Sequence, residues 1–571
     1  MSEVTASLVL LLVVTWPLLL AAGLAFDATR SVALRLVPWA ALPALGTVAM
    51  LADTGLRLPG VMLGSALVLD GMGRVFLLLS AILWLATGLL SRPQLHNAGA
   101  NRFAVLQLLA MTGAFGLTLA ADALLFFTAT TLAGYALYGL LVYDANVSAQ
   151  KAGRVLVVLL VVSDILVFEL LLMLGQAAGS VDFPSLRQAF VNSDNQGLML
   201  GLLIFGFGIK AGVVGVHFWL APVFVTAVPA VRPVLISFIF SAGLLGWLRL
   251  LPLGEIHWSG TGAVLQWLAW VTLVYAVFAG LLQARFRSVL AYAAIALSGF
   301  WVATLGSALL YPQAWNGTAE AMPAAILQSG FALAALLLLD SRTGHSAPAW
   351  LRRMATGVMW LAAMLLAAAP VGITGSLATV DGMAAVQMSW ATAAIAFLVI
   401  RGLLLAGAVS HSTHDLSTSM TVVRQSTQVS TATTLLVAGG LTVAALLAAV
   451  FNLVGLSPTE LWHPALMVSV AALAAWLSAE RYAPPTTFMR VDLLVTIGNR
   501  LVSIFGHGWH LADTRLPLCR DAGMVLVRRL WSRVDWRQII GQIESGLNRW
   551  RTALVVLLLL GLLVVGWGWM E

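Results

Sequence analysis

The chain has 571 residues, of which 61% are hydrophobic and 9% charged, and a formal net charge of +7. Soluble domains carry roughly 25% charged residues, so the composition excludes a soluble enzyme and describes an integral, all-α polytopic membrane protein. A single cysteine, Cys519, excludes an intrachain disulfide, a thiolate-ligated iron–sulfur cluster and a cysteine-based zinc site, each of which needs several thiolates; no cofactor or redox centre is expected in this chain.

A membrane-crossing helix needs about 20 mostly apolar residues. That rule places helices near 4–25, 32–52, 72–91, 103–120, 123–143, 154–176, 197–220, 230–251, 262–283, 288–310, 321–340, 355–376, 384–408, 432–454, 462–479 and 552–570, about sixteen in all. The first is apolar from Val4, follows the acidic Glu3 and lacks a basic start, so it reads as a membrane helix rather than a cleaved signal peptide. Fifty-one glycines suit closely packed membrane helices.

Two stretches break the pattern. Residues 409–431 are polar, with His411, His414, Asp415 and many Ser and Thr, and read as a connecting loop. Three such side chains make a poor metal site, and His507 with His510 is no better; no metal is expected. Asp340 reads as a loop charge. Residues 481–551 open at Pro484-Pro485 and interleave apolar residues with Arg520, Arg528, Arg529, Arg533, Arg537, Arg549 and Arg551. This is the pattern of an amphipathic lateral helix lying on lipid headgroups; a small cytoplasmic helical hairpin is the other reading. The arginines place the segment on the cytoplasmic side. They point to topology and lipid rather than nucleic acid, which is not an expected partner. The last helix ends on Trp567 and Trp569 as an interface anchor.

The ionisable groups inside the apolar stretches are few. Only two of the thirty Lys and Arg residues are lysines, Lys151 and Lys210. Lys210 stands in Leu202-Leu-Ile-Phe-Gly-Phe-Gly-Ile-Lys210-Ala-Gly-Val-Val-Gly-Val-His217-Phe-Trp-Leu220. A buried lysine can release its proton, whereas arginine effectively cannot, so Lys210 is the first candidate for proton handling; a fixed structural counter-charge is the bland alternative. His217 follows two turns later, on nearly the same helix face, either as a relay group or as a satisfied core histidine. Glu169 lies within the apolar run 155–174, with Asp164 five positions earlier and therefore on a different face, about 500° of turn away. An acid inside a span is a functional candidate by default; for Glu169 the other reading is a pairing with a partner subunit or a place near the membrane interface. Asp70 and Asp122 stand at helix entries, where a carboxylate caps an N-terminus or admits protons.

The stretch Phe207–Leu220 closely resembles the antiporter-like subunits shared by respiratory complex I, membrane-bound hydrogenases and multisubunit cation/proton antiporters. In those subunits a lysine precedes His-x-Trp-Leu-Pro; here the proline is displaced by one, as Ala221-Pro222. Asp70-Gly-Met-Gly-Arg-Val-Phe76, Ala121–Phe127, Gly243–Arg249, Gln283–Tyr292 and Pro370-Val-Gly-Ile-Thr-Gly375 resemble further stretches of the family in the right order, over about residues 60–380. The resemblance implies N-terminal helices over 1–102, two inverted five-helix repeats over 103–251 and 252–408, each with a broken helix, additional helices over 409–480, the lateral segment 481–551 and an anchor helix over 552–571.

The chain departs from the family at its relay. The place of the fifth-helix glutamate falls on Thr131, the eighth-helix lysine on Ser241, the tenth-helix His or Gln on Leu297, the eleventh-helix His and Lys near Ser329 and Leu333, and the twelfth-helix lysine near Thr379. Hydroxyls can bond water but hold no proton near neutral pH. The expected site is therefore a reduced set: Lys210, His217, Glu169 as replacement partner of Lys210, Thr131 and Ser241. The resemblance implies a multi-pass subunit of the bacterial inner membrane, working with other membrane subunits of a hetero-oligomeric complex. It would move protons or another cation within an oxidoreductase or transporter complex, or it has lost pumping and holds partners together. A two-component inorganic-carbon uptake system, with a carbonic-anhydrase-like partner, is one setting for either reading; a cation/proton antiporter and a hydrogenase-related complex are others.

Overall fold

A computed structural model of the chain describes residues 3–60, 64–97, 99–144, 146–339, 349–378, 382–412 and 431–453. These are almost entirely helical, because a backbone surrounded by hydrocarbon must satisfy its own hydrogen bonds. In chain order come α1 (Glu3–Gly23), α2 (Asp27–Leu36), α3 (Leu42–Met50), a hairpin of β1 (Thr54–Arg57) and β2 (Ala66–Leu69), α4 (Gly71–Leu90), α5 (Ala100–Leu119), α6 (Ala123–Leu141), α7 (Val147–Ala178), α8 (Phe183–Asn192) and α9 (Gln196–Ala211). Then follow α10 (Leu220–Thr226), α11 (Arg232–Phe238), a π-helical turn at Ile239–Leu244, α12 (Leu245–Leu250), α13 (Ser259–Leu281), α14 (Phe286–Leu310), α15 (Trp315–Leu338), α16 (Ala349–Ala368), α17 (Val371–Ala378), α18 (Gly382–Ser412) and α19 (Thr431–Leu453).

Twelve helices among the described residues are long and apolar enough to cross a membrane, or thirteen if the pair α2–α3, bent by 48°, counts as one span. Two of the sixteen expected helices, 462–479 and 552–570, lie outside the described residues, as do the lateral segment 481–551 with Cys519, and Asp340, Thr379, His414, Asp415, His507 and His510. Where a helix was expected at 197–220, the chain forms α9, an unwound stretch and α10. The expected loop at 409–431 begins later than its composition suggested, because α18 continues through His411 to Ser412.

The ends of the helices are tied by side chains that the sequence supplies locally. Asp70 caps α4, accepting from Gly73 N–H at 2.7 Å. Asp122 caps α6, accepting from Leu125 N–H at 2.8 Å, and is locked against the hairpin by Ala66 N–H (3.0 Å) and Ser65 Oγ (3.2 Å). Two buried arginines serve helix C-termini, where carbonyls lack donors. Arg232 donates to Leu337 O and Leu338 O of α15 at 3.2 and 3.4 Å, and Arg401 donates to Leu281 O of α13 at 2.9 Å. The hairpin pairs Thr54 with Leu69 through Arg57 with Ala66, antiparallel.

Arg249 at the end of α12 binds both carboxylate oxygens of Asp70, one of them through Nη2 at 3.0 Å. Burial opposes the charged form of Asp70, but the Arg249 hydrogen bond and charge, with the Gly73 N–H, outweigh it and hold the carboxyl below the usual carboxylate range. A carboxyl with a lowered folded value stabilises the fold above its unfolded value and loses that contribution as pH falls through the folded one. Thermal unfolding of the purified chain is therefore expected to separate wild type from Asp70→Asn above about pH 4, with the gap closing at lower pH.

The π-helical turn brings Gly243 against α9. A Cβ on Gly243 would stand 2.7 Å from Ala211 N and Cα, which are backbone atoms that cannot swing away. Gly243→Val is expected to lower stability by about 1–3 kcal/mol, the usual cost of overpacking. Gly260→Ala, where nothing lies within 4 Å, is expected to leave the melting temperature unchanged.

Candidate functional site

Lys210 sits in the last turn of α9 and is 1% exposed. Its ammonium donates to Asp164 Oδ1 at 2.7 Å and to Ser163 Oγ at 2.8 Å. Ser163 in turn donates to Gly206 O of α9 at 2.7 Å. Two adjacent α7 side chains thus hold one α9 amine. The Lys210 and Asp164 side chains are 1% and 11% exposed, making this the most deeply buried ion pair among the described residues. Tyr135 of α6 stands near the Asp164 carboxylate.

The expectation that Glu169 partners Lys210 is corrected here. Asp164 takes that place, and Glu169 is exposed on the opposite side of α7. The reason is helix phase: Leu156, Leu160, Ser163, Val167, Leu170 and Leu174 are buried, and Asp164 lies with them. Thr131 lies one turn before Tyr135 on α6. Its hydroxyl oxygen is buried and makes no hydrogen bond to a described residue.

Directly after Lys210 the helix stops. Gly212 is left-handed, with φ of +74°, a conformation that favours glycine. Val213 N–H turns back to Gly208 O at 2.9 Å. The carbonyls that the break frees are met by side chains: Trp219 Nε1 donates to Ile209 O at 2.7 Å, and Ser298 Oγ of α14 donates to Ala211 O. The chain re-enters a helix at Leu220, whose N–H bonds His217 O at 2.9 Å.

The break also changes the place of His217. A continuous helix would stack it above Lys210; the unwound stretch removes that phase relation. His217 is buried and packs instead on Tyr275 of α13 (ring centroids 4.9 Å) and Tyr292 of α14 (6.5 Å), with Phe218 at 4.8 Å. The structure therefore joins Lys210 to α7 and His217 to α13 and α14.

Ser241 lies in the π-helical turn, fully buried, and is 3.1 Å from Ser80 Oγ of α4, which also accepts from Ser237 at 3.0 Å. Such turns inside α-helices are frequent at functional sites. Beside it a cavity of about 20 Å³ is lined by Ala211, Phe240, Leu297, Ser298, Trp301 and Leu333 among others, room for about one water. Ser329 Oγ bonds back to Ala325 O at 2.7 Å.

A second helix break lies at Ala369–Pro370, between α16 and α17. Proline has no N–H to give. Leu365 O receives Gln328 Nε2 of α15 at 2.9 Å, and Ala369 O receives Asn452 Nδ2 of α19 at 3.0 Å; Asn452 also donates to Gln328 Oε1 at 2.8 Å. Amides, which do not titrate, occupy this break. Sequence reading missed both, as it missed Ser163, Tyr135, Ser80 and Ser298. Among the described residues no group of three His, Cys, Asp or Glu could hold a metal.

Removing one partner of a buried ion pair strands the other, at a cost of about 3–5 kcal/mol. Lys210→Met and Asp164→Leu are each expected to lower the melting temperature in detergent, and the double variant to recover most of the loss.

Residues 120–315 match the family model described as NADH:quinone oxidoreductase/Mrp antiporter, transmembrane, a segment that contains Asp164, Lys210, His217 and Ser241. A NADH-quinone oxidoreductase subunit N from Deinococcus radiodurans is 28% identical over 247 residues, 42% of this chain and 49% of that protein. Subunit N from Maricaulis maris is 26% identical over 288 residues, 48% and 58% of the two chains. The match spans about half the length of these curated relatives. Among solved structures, a chain of the Mrp complex from Dietzia sp. DQ12-45-1b superposes with a TM-score of 0.60 at 19% identity, over 83% of this chain and 99% of that one. A chain of the membrane-bound sulfane sulfur reductase, an archaeal respiratory membrane complex, gives 0.52 at 16% identity, over 84% and 99%. At these identities the two structures establish the fold.

Proposed function

We infer that this chain, an antiporter-like membrane subunit of the family that NADH:quinone oxidoreductases and Mrp antiporters share, couples proton movement to a multisubunit complex through one reduced site, the Lys210–Asp164 pair. The observation that carries this reading is the pair itself: a lysine in a helix that stops one residue later, facing a carboxylate on a neighbouring helix. A carboxylate beside a buried ammonium favours the protonated form, and drawing it away favours release. Asp164 is held by Lys210, so a displacement of that carboxylate reaches the amine directly. Residues 103–251 and 252–408 are proposed as the two inverted repeats. Their broken helices, α9–α10 and α16–α17, occupy corresponding places five spans apart, an arrangement that places polar groups inside a membrane.

The second repeat is read as inert. Gln328 and Asn452 hold its break with amides, and Leu297 and Leu333 stand where titratable groups are expected. The same observation favours a second reading, a scaffold subunit that has lost pumping throughout and holds partner subunits, in an oxidoreductase, a cation/proton antiporter or an inorganic-carbon uptake complex. The bacterial inner membrane is the proposed location.

Lys210→Ala and Lys210→Arg separate the two readings. Arginine keeps the positive charge but does not give up its proton. Both variants are expected to lower proton-coupled activity of the assembled complex at least tenfold, measured as proton uptake in sealed vesicles. Activity unchanged in Lys210→Arg, with the complex intact, favours the scaffold.

A further inference from the structure

Glu169 makes no hydrogen bond or ion pair with a described residue, and its side of α7 faces outward. Val158 (60% exposed), Ile165 (63%), Phe168 (51%) and Leu172 (45%) repeat along that face at helical spacing. Lys151 and Arg154 stand exposed at its start. The outward faces of α13 and α19 are built differently. On α13 the exposed residues beyond Gly260 are apolar (Ala263, Val264, Trp267, Val271, Val274 and Phe278), and on α19 the exposed large residues are Leu436, Val443, Leu446, Leu447 and Val450. Those faces suit lipid tails as they are.

The face of α7 does not. Its apolar run 155–174 is about 30 Å long, the thickness of the hydrocarbon layer. Glu169 lies five residues inside one end, about 7.5 Å deep, and about 22 Å from Arg154. Lipid tails offer a carboxylate no donor, and ionisable side chains at such depth pair with one another or face a protein interior. A glutamate stem is also too short to reach the headgroups from there as lysine and arginine do.

We propose that the outer face of α7 is the docking face for a transmembrane helix of a partner subunit, which presents a lysine or arginine to Glu169 and apolar side chains to Val158, Ile165 and Leu172. A second copy of this chain does not fit. A twofold axis along the membrane normal brings equal depths together and sets Glu169 against Glu169, like charges in a medium that screens them little. The proposal stands apart from the proton reading, since it needs no titration of Lys210.

The test uses the full-length chain in the membranes of its own cell. A photo-crosslinking residue replaces Ile165, and in a parallel strain Trp267 on α13. The expected result is an adduct from position 165 to a different polypeptide, mapping to a membrane helix of that partner that contains Lys or Arg. Position 267 is expected to give lipid adducts. Glu169→Lys is expected to reduce the position-165 adduct at least tenfold while the chain keeps its melting temperature. An adduct only to lipid, to a second copy or to residues 481–551 of this chain overturns the proposal, as does an undiminished adduct in Glu169→Lys. The wild-type adduct map decides the question even where that variant does not accumulate.

Discussion

The Lys210–Asp164 pair sets the terms for everything around it. Neither charge can be stranded among apolar side chains, so α7 and the end of α9 must stay in register to within a hydrogen bond. Ser163 ties the same two helices through Gly206 O. The helix cannot simply continue past Lys210 either, because Gly212 turns left-handed and hands the freed carbonyls to others. Trp219 and Ser298 take two of them. The break is thus as firmly specified as a helix.

Elsewhere the molecule solves the same problem, polar backbone inside an apolar interior, without an ion pair. The break at Pro370 is closed by Gln328 and Asn452, which meet freed carbonyls with N–H groups that keep their protons at any ordinary pH. The serines of α4, α11 and the π-helical turn bond one another. Arg232 and Arg401 finish helices. The result is a division of labour. The buried ion pair joins α7 and α9, and amides, hydroxyls and arginines that satisfy hydrogen bonds serve the helices that follow.

Most of the helices were legible in the sequence because length and hydropathy suffice when the solvent is lipid. The expected stretches at 103–120, 123–143 and 288–310 match α5, α6 and α14 within a few residues. Lys210 was legible as well, through its rarity and the motif around it. Its partner was not. In a soluble helix the polar side would mark the outer face, and the phase of Asp164 against Glu169 could be counted. On α7 both faces are Val and Leu, since lipid tails and packed neighbours are equally apolar, and the alternation that identifies the inner face is absent. His217 was misplaced for a related reason: helical phase was carried across Gly212, where the helix ends. Amide caps such as Asn452 escape sequence reading altogether, because what they satisfy is a carbonyl some eighty positions away.

Ser298 carries a consequence of its own. It belongs to α14, one of the helices without titratable side chains at the expected relay positions, yet its hydroxyl terminates the helix that bears Lys210. Chemistry and architecture therefore decay at different rates in such a chain. A later helix keeps this structural part without an acid or a base at the expected relay position. It cannot be deleted, because the helix that bears Lys210 ends on it.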